Sequence, residues 1–266
     1  MTGSRSKRLV FWTIVWFDLL ILGLPTLIVL MASFTTGEMV TFPPEGFSLR
    51  WYAELAEMEA FKDAFLRSAY VAVVCTAISL PAGTLAAIAM LRYRIPFLHG
   101  LQIYLLLPFT IPLIASGIGL MLLFGELRIL GQLWPVGVAT CVINLPFMIW
   151  AVSASVNALD PDLENAAANC GAPPLQTFFT VTLPAVMPGV ITGGLLMFIL
   201  AFNEFIVSLL LVDARIVTLP VSIYNSIRSV ITPDLAAVSV VYIAVAAFAI
   251  WLLDRAVGLE IFLKSK

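Results

Sequence analysis

Long apolar stretches separated by short polar segments dominate this chain. Six of them reach the roughly 20 residues that an α-helix needs to cross the hydrocarbon of a bilayer. The predicted spans are residues 9–34, 68–91, 101–124, 134–157, 187–212 and 235–253. Asp18 and Pro25 interrupt the first span, and Glu204 interrupts the fifth. We therefore predict an all-α integral membrane protein with six transmembrane helices, forming a single domain over residues 1–266.

The composition supports a membrane protein. Hydrophobic residues make up 61% of the chain and charged residues only 11%, with a mean hydropathy of +1.05. A soluble domain usually carries about 25% charged residues. The formal net charge is only −2, so the basic surface of a nucleic-acid-binding protein is missing from the sequence.

Sequence motifs for catalysis or metal binding are absent. Cys75, Cys141 and Cys170 lack metal spacing and are predicted to be free thiols, and His99 is the single histidine. No Gly-x-x-x-x-Gly-Lys-Ser/Thr phosphate loop and no nucleophile–base pair occur in the sequence. We therefore predict that the chain is not an enzyme, binds no metal or cofactor itself, and receives energy from a partner.

The distribution of basic residues predicts the orientation, because such residues favour the cytoplasmic side of a membrane. With the N-terminus inside, eight Lys and Arg lie in inner segments and six in outer segments. The basic residues that decide this lie close to span ends: Arg5, Lys7, Arg8, Arg92 and Arg94. The outer loop 35–67 is acidic. Both termini and the segment 158–186, which contains no Lys or Arg, are predicted to be cytoplasmic.

Segment 158–186 contains a short helix with definite start and stop signals. Asp160 is a good N-cap, and Pro161 suits the first helical position. Residues 166–168 are all alanine, Gly171 is a natural C′ residue, and the prolines at 173–174 prevent continuation. The pattern predicts two to three turns with a face of small residues. This element is either a connector on the membrane surface or a docking element held by another protein.

A second apolar piece follows that helix. Leu175, Phe178 and Phe179 have the spacing of one helical stripe. Leu183-Pro184 and Pro188 are then expected to turn the chain into the fifth span.

The spacing in this segment resembles a known motif. Asn165-Ala166-Ala167, three residues, Gly171, nine residues, Val181, one residue and Leu183-Pro184 resemble the EAA loop of permease subunits of bacterial ABC importers. Asn165 stands where the family usually has Glu, and Val181 where it has Ile; Glu164 lies one position early.

The resemblance covers most of the chain. Phe47–Tyr52 resembles the Phe-Ser-Leu-x-Trp-Tyr motif of the same permeases. Ala201–Phe205, Thr218–Pro220 and Ala236–Ser239 are similar to the second permease subunit of spermidine/putrescine importers. That family implies a type I ABC importer permease (MetI-like) fold in a bacterial inner membrane. It also implies a homologous second permease subunit, two cytoplasmic ATPase subunits that bind ATP and Mg, and an extracytoplasmic solute-binding protein.

The resemblance implies that the ATPase subunits dock on the EAA loop and that its helix transmits their closure. The residues expected to take part in ATPase coupling are Glu164, Asn165, Ala166, Ala167, Gly171, Ala172, Leu183 and Pro184.

Glu204 is the candidate for the substrate pathway. A carboxylate at the centre of a span costs about 2.5 kcal/mol or more, so it should face water, a cation or a partner helix. Asn203, Phe202 and Asn144 are the other pathway candidates, although packing is an equally good role for Phe202 and a helix–helix hydrogen bond for Asn144. A cationic amine would offset the charge of Glu204. The sequence therefore predicts import of a small cationic solute such as a polyamine.

Other functions remain open at this point. The same importer class also moves opines, amino acids, thiamine or ferric ion. A proton- or sodium-coupled secondary carrier would need neither ATP nor partners, and a membrane scaffold would transport nothing.

Overall fold

The structure, a computed structural model, describes residues 3–39, 43–213, 215–229 and 232–257. In chain order its helical elements are α1 (Gly3–Ala32), α2 (Arg50–Glu57), α3 (Glu59–Arg92), α4 (Leu98–Thr110), α5 (Leu113–Glu126), α6 (Leu133–Ala158), α7 (Pro161–Asn169), α8 (Pro174–Thr177), a π-helical turn (Phe178–Thr182), α9 (Leu183–Phe202), α10 (Ile206–Leu211), α11 (Leu219–Ser229) and α12 (Pro233–Val257). The described residues form no strand, which confirms the prediction of an all-α protein.

Among the residues that the structure describes, four helices are long and apolar enough to cross a membrane. They cover Val10–Ala32, Glu59–Arg92, Leu133–Ala158 and Pro174–Phe202. A fifth span results if α4 and α5 count as one, although the two helices meet at an angle of 98°. The last predicted span falls on α12, whose described apolar part, Pro233–Phe248, is shorter than a span. The predicted number of six spans is therefore not confirmed.

The bend inside the predicted third span has a local cause. Ile111 has an extended backbone (φ −89°, ψ 131°) and ends α4, and Pro112 follows it. The ring of a proline disfavours helical dihedrals in the residue before it. The chain therefore leaves the helix at Ile111 and begins α5 in a new direction.

The chain divides into two compact units, and the first comprises Met1–Lys62 and Ile223–Val245. Within it, the segment after α1 packs on α2. The indole N–H of Trp51 donates to the Thr35 carbonyl oxygen at 2.8 Å, and the ring of Phe34 stacks on that of Phe47 with centroids 4.9 Å apart. The motif Phe47–Tyr52 thus fixes the polypeptide that follows the first span.

The second unit comprises Asp63–Ser222 and Ala246–Lys266. Its interior contains an apolar cluster to which α3, α5, α6 and α10 contribute: Val71, Phe124, Val136, Ala139, Ile143, Val207 and Leu211. The prediction of one domain over residues 1–266 stays a prediction.

Glycines bring α9 close to its neighbours in the second unit. A β-carbon on Gly193 would lie 2.5 Å from the Met148 sulfur of α6, and one on Gly194 would lie 2.8 Å from the Leu80 side chain of α3. Neither position leaves room for a larger residue. Small residues of this kind allow helices to approach closely in membranes, where van der Waals contact drives their association.

Candidate functional site

The predicted short helix of segment 158–186 is α7, which has nine residues. The Asp160 carboxylate accepts a hydrogen bond from the Asp162 backbone N–H at 3.0 Å, and Pro161 occupies the first turn. Asp162 and Glu164 also lie in the first turn, where the positive end of the helix dipole favours carboxylates. The prediction of a capped helix of two to three turns is confirmed.

The C-terminal end of α7 depends on Gly171. This residue has φ +86°, in the left-handed region that glycine adopts most easily. The N–H of Gly171 donates to the Ala168 carbonyl oxygen at 2.9 Å, and the N–H of Ala172 donates to that of Ala167 at 3.1 Å. This pair of bonds is a Schellman motif, which satisfies carbonyls that a helix end leaves without partners. α7 is therefore a rigid element with both ends closed.

The sequence predicts a turn of the chain at Leu183-Pro184, and this prediction is wrong. Helical structure continues from Pro174 through the π-helical turn to Phe202. The Leu183 N–H bonds to the Phe178 carbonyl oxygen five residues back, and Pro184 then contributes no N–H. The wider turn thus places the proline without ending the helix, and π turns of this kind often mark functional sites.

The exposed surface of α7 includes a leucine and an alanine three positions apart on one face. Ala166 is exposed, and 53% of the Leu163 surface is exposed on the same short polar helix. In the following piece, Leu175 and Phe179 are 70% and 59% exposed, whereas Phe178 is half-buried. The predicted apolar stripe is thus divided between two environments, and Leu163, which the sequence analysis did not select, is added to the exposed surface.

The inward side of α7 carries a charge pair. Glu164 Oε2 lies 3.3 Å from Arg92 Nε at the end of α3, and Glu164 Oε1 accepts a hydrogen bond from Thr182 Oγ1 at 2.6 Å. Arg92 Nη2 in turn donates to the Leu159 carbonyl oxygen at 3.1 Å. We call Arg92, Leu159, Glu164 and Thr182 the Glu164 cluster. It borders a cavity of about 580 Å³ beneath α7.

Asn165, at the position of the usual Glu, differs from Glu164 in its surroundings. It is exposed, and its Nδ2 donates to Asp162 Oδ1 at 3.3 Å. The carboxylate at 164 therefore contacts the rest of this chain, and the amide at 165 contacts its own helix.

Glu204 lies in a break between two helices, not in the middle of a continuous span. The span helix ends at Phe202, and α10 begins at Ile206. Glu204 Oε1 accepts a hydrogen bond from the Val207 N–H at 2.9 Å, which satisfies a donor in the first turn of α10. Asn203 is exposed, and its Nδ2 donates to the Ile199 carbonyl oxygen at 2.8 Å. The predicted span boundary at residue 212 is thus wrong by ten residues.

The other two pathway candidates are buried in the second unit. The Phe202 side chain, on a residue that is 5% exposed, meets the ring of Phe65 edge to face at 5.4 Å. Asn144 is 9% exposed, and its Nδ2 donates to the Thr140 carbonyl oxygen at 3.0 Å within α6. The pathway roles of Glu204, Asn203, Phe202 and Asn144 stay predictions.

Sequence analysis missed the residues that hold α7 in place. Arg92 entered it only as a marker of orientation, and Thr182 and the Leu159 carbonyl did not enter it. These groups come from distant parts of the chain, so no spacing rule connects them. In the described ranges, no three His, Cys, Asp or Glu side chains are close enough to hold a metal ion.

Comparisons with known proteins agree with this architecture. Residues 79–258 match the family described as binding-protein-dependent transport system inner membrane component. The putrescine transport system permease protein PotI of Escherichia coli (strain K12) is 29% identical over 242 residues, which cover 86% of this chain and 85% of PotI. The spermidine/putrescine transport system permease protein PotC of the same strain is 26% identical over 228 residues and covers 85% of each chain.

A solved structure shares the fold. It is the crystal structure of a bacterial ABC transporter involved in the import of the acidic polysaccharide alginate. The match has a TM-score of 0.74 at 16% sequence identity, and it covers 96% of this chain and 98% of that chain. At this identity the likeness concerns the fold alone.

Proposed function

The chain belongs to the family of inner membrane components of binding-protein-dependent transport systems, and from this membership we propose that ATPase subunits dock on α7. It is a multi-pass permease subunit of a bacterial ABC importer. In the proposal, closure of the ATPase subunits moves α7 and rocks the attached helices. The permease thereby alternates between inward and outward access.

The observation that carries the docking proposal is the form of α7. It is closed at both ends by side-chain and backbone hydrogen bonds, so it can move as a rigid body. It exposes Ala166, whose small side chain allows a partner surface to approach closely, and Leu163, which offers apolar surface. The coupling residues are those predicted from the sequence: Glu164, Asn165, Ala166, Ala167, Gly171, Ala172, Leu183 and Pro184.

The proposed cargo is a small cationic amine, such as a polyamine. Glu204 supports this proposal because it places a half-buried carboxylate in a helix break, where the side chain and the broken backbone present polar atoms. PotI and PotC, which are named as permeases of putrescine and spermidine/putrescine transport systems, agree with an amine cargo. The carboxylate of Glu204 would attract the cation.

The same proposal includes the surroundings of the subunit. A homologous second permease completes the membrane part, an extracytoplasmic solute-binding protein delivers the cargo, and two ATPase subunits bind and hydrolyse ATP with Mg. This chain binds no cofactor in the proposal. It lies in the inner membrane with both termini and the segment 158–186 in the cytoplasm.

Gly171 offers a sharp test of docking. A β-carbon at Gly171 would meet nothing within 4 Å, so substitutions there act through the backbone and not through a clash. Gly171→Val should distort the C-terminal end of α7, because a β-branched residue is strained at φ +86°. Gly171→Asn is the matched control, since asparagine adopts the left-handed conformation far more easily.

The measurement is co-purification of the ATPase subunits with the permease from membranes. We expect Gly171→Val to insert normally but to retain about a tenth or less of the ATPase, and Gly171→Asn to retain most of it. Equal retention by wild type, Gly171→Val and Gly171→Asn would remove the docking proposal.

A further inference from the structure

We propose that Glu164 is a positioning residue that makes α7 move together with the ends of α3, α6 and α9. The inference rests on the proposed function, because it concerns how motion of a docked α7 reaches the spans. Its physical basis is the Glu164 cluster, in which one carboxylate and one guanidinium join four helical elements.

Each element contributes one group to the cluster. Arg92 is the last residue of α3, and it donates to the carbonyl oxygen of Leu159, the C-cap of α6. Glu164 belongs to α7 and pairs with Arg92. Thr182 is the last residue of the π-helical turn that leads into α9, and its hydroxyl donates to Glu164. A displacement of α7 is thereby opposed directly at the ends of α3 and α9, and through Arg92 at the end of α6.

The cluster is shielded from solvent. The side chains of Arg92 and Glu164 are 19% and 24% exposed, and Thr182 is 4% exposed. Because charges that are partly buried are screened less than exposed ones, salt should weaken this pair less than a surface ion pair. The other two ion pairs among the described residues join positions i and i+4 of a single helix and connect no separate elements.

Glu164 supplies the side-chain polar attachment of α7 to these neighbours. Only Glu164 and Ala167 of the nine residues in α7 are partly buried; the other seven are exposed. Ala167 has an apolar side chain, so it can pack but cannot fix a direction. The orientation of the helix relative to α3, α6 and α9 therefore depends on the Glu164 carboxylate.

The α9 end of the cluster is connected onward through close packing. Gly193 lies against Met148 of α6 and Gly194 against Leu80 of α3, so close that a β-carbon at either glycine would collide with that side chain. Packed interiors transmit displacement because they are dense and resist compression. The cluster and this packing together make α3, α6 and α9 one body, to which Glu164 attaches α7.

The test uses the complete importer, with its permease, ATPase and binding-protein subunits, in proteoliposomes. The readout is putrescine taken up per ATP hydrolysed, measured beside co-purification of the ATPase. Glu164→Gln keeps the side-chain shape and an oxygen for the Thr182 hydroxyl, but it loses the ion pair with Arg92. We expect ATPase co-purification to stay at the wild-type level and uptake per ATP to fall about tenfold, within the range usual for coupling between sites.

Thr182 provides a second, independent pair of variants. Thr182→Val removes the hydroxyl at nearly constant volume and should lower uptake per ATP, whereas Thr182→Ser keeps the donor and should preserve it. Asp63→Asn is the control, because it removes the ion pair with Arg67 near the other end of α3. It should leave uptake per ATP unchanged.

Several outcomes would overturn the inference. Uptake per ATP at the wild-type level in Glu164→Gln would overturn it. The separate proposal that the ATPase docks on α7 would still stand in that case if Gly171→Val loses the ATPase. Loss of the ATPase from Glu164→Gln would also overturn the inference, because it would mean that Glu164 contacts the partner directly. If Glu164→Gln does not insert into membranes, the two Thr182 variants decide. Lower uptake per ATP in Thr182→Val but not in Thr182→Ser supports the inference, and equal uptake per ATP in the two variants overturns it.

Discussion

Gly189 of α9 lies directly against Ser155 of α6. A β-carbon on Gly189 would be 2.6 Å from Ser155 Oγ and 2.8 Å from the Ala151 carbonyl oxygen. Gly193, one helical turn later, is equally close to Met148. The two glycines form a Gly-x-x-x-Gly sequence, whose small residues allow two helix backbones to approach closely in a membrane. Both glycines therefore lie in close contact with α6, and at Gly189 the contact includes the backbone of α6.

Gly189→Ala should destabilise the subunit for this reason. The Ala151 carbonyl belongs to the backbone of α6 and cannot rotate away, so the helices must separate. Insertion of an extra methyl into a well-packed interior costs about 1–3 kcal/mol. The measurement is thermal unfolding of the purified full chain in detergent. Gly119→Ala is the control, since a β-carbon there meets nothing within 4 Å, and it should not lower the midpoint. Equal midpoints for the two variants would contradict the close contact.

Sequence analysis predicts most of the elements, because helix length and helix ends depend on local chemistry. The apolar stretches locate α3 and α6 within ten residues at each end, since exclusion of water from the bilayer forces backbone groups to pair within the helix. Asp160 and Gly171 locate the ends of α7 because capping bonds join residues that are neighbours in the chain.

Tertiary relationships and breaks inside apolar stretches are harder to predict. Pro112 does end a helix, but Pro146 lies inside α6 without breaking it, so proline alone does not locate a break. The sequence also suggests that Glu204 lies in a continuous span, because the apolar character of a stretch is judged from its average hydrophobicity. In the structure the Glu204 carboxylate instead accepts a hydrogen bond from the Val207 N–H at the start of α10. Arg92 and Glu164 are 72 positions apart, and only folding brings them together.

The native cysteines provide a test of orientation without any insertion. Cys170 is exposed at the end of α7, whereas Cys75 and Cys141 are buried in helices. A maleimide that cannot cross membranes should therefore label Cys170 in inside-out vesicles and not in right-side-out vesicles. Cys170→Ser should abolish the signal, which assigns it to that thiol. Labelling in right-side-out vesicles would place segment 158–186 outside the cell and remove the proposed topology.

Glu204→Gln should weaken transport of a cationic amine. The glutamine keeps a side-chain oxygen for the Val207 N–H, so the start of α10 is preserved while the charge is lost. Loss of one favourable charge interaction should raise the Michaelis constant for putrescine uptake about tenfold, equivalent to about 1.4 kcal/mol. Uptake is measured in vesicles that contain the complete importer. Glu126→Gln, at an exposed position at the end of α5, should leave the constant unchanged. An unchanged constant in Glu204→Gln would argue for an uncharged cargo or for a carboxylate away from the pathway.

Leu163 should contribute to docking of the ATPase through apolar burial. The residue is 53% exposed on a polar helix, and a partner that covers α7 would remove its side chain from water. Full burial of a leucine side chain is worth about 1.5–3 kcal/mol, and a half-exposed one gains about half of that. Leu163→Ala should therefore weaken binding of purified ATPase subunits to the detergent-solubilised permease about threefold to tenfold. Leu122→Ala is the matched control, because Leu122 is 63% exposed on α5 and lies outside segment 158–186. Equal affinities for the two variants would mean that the partner leaves this leucine in water, and that docking uses another side of α7.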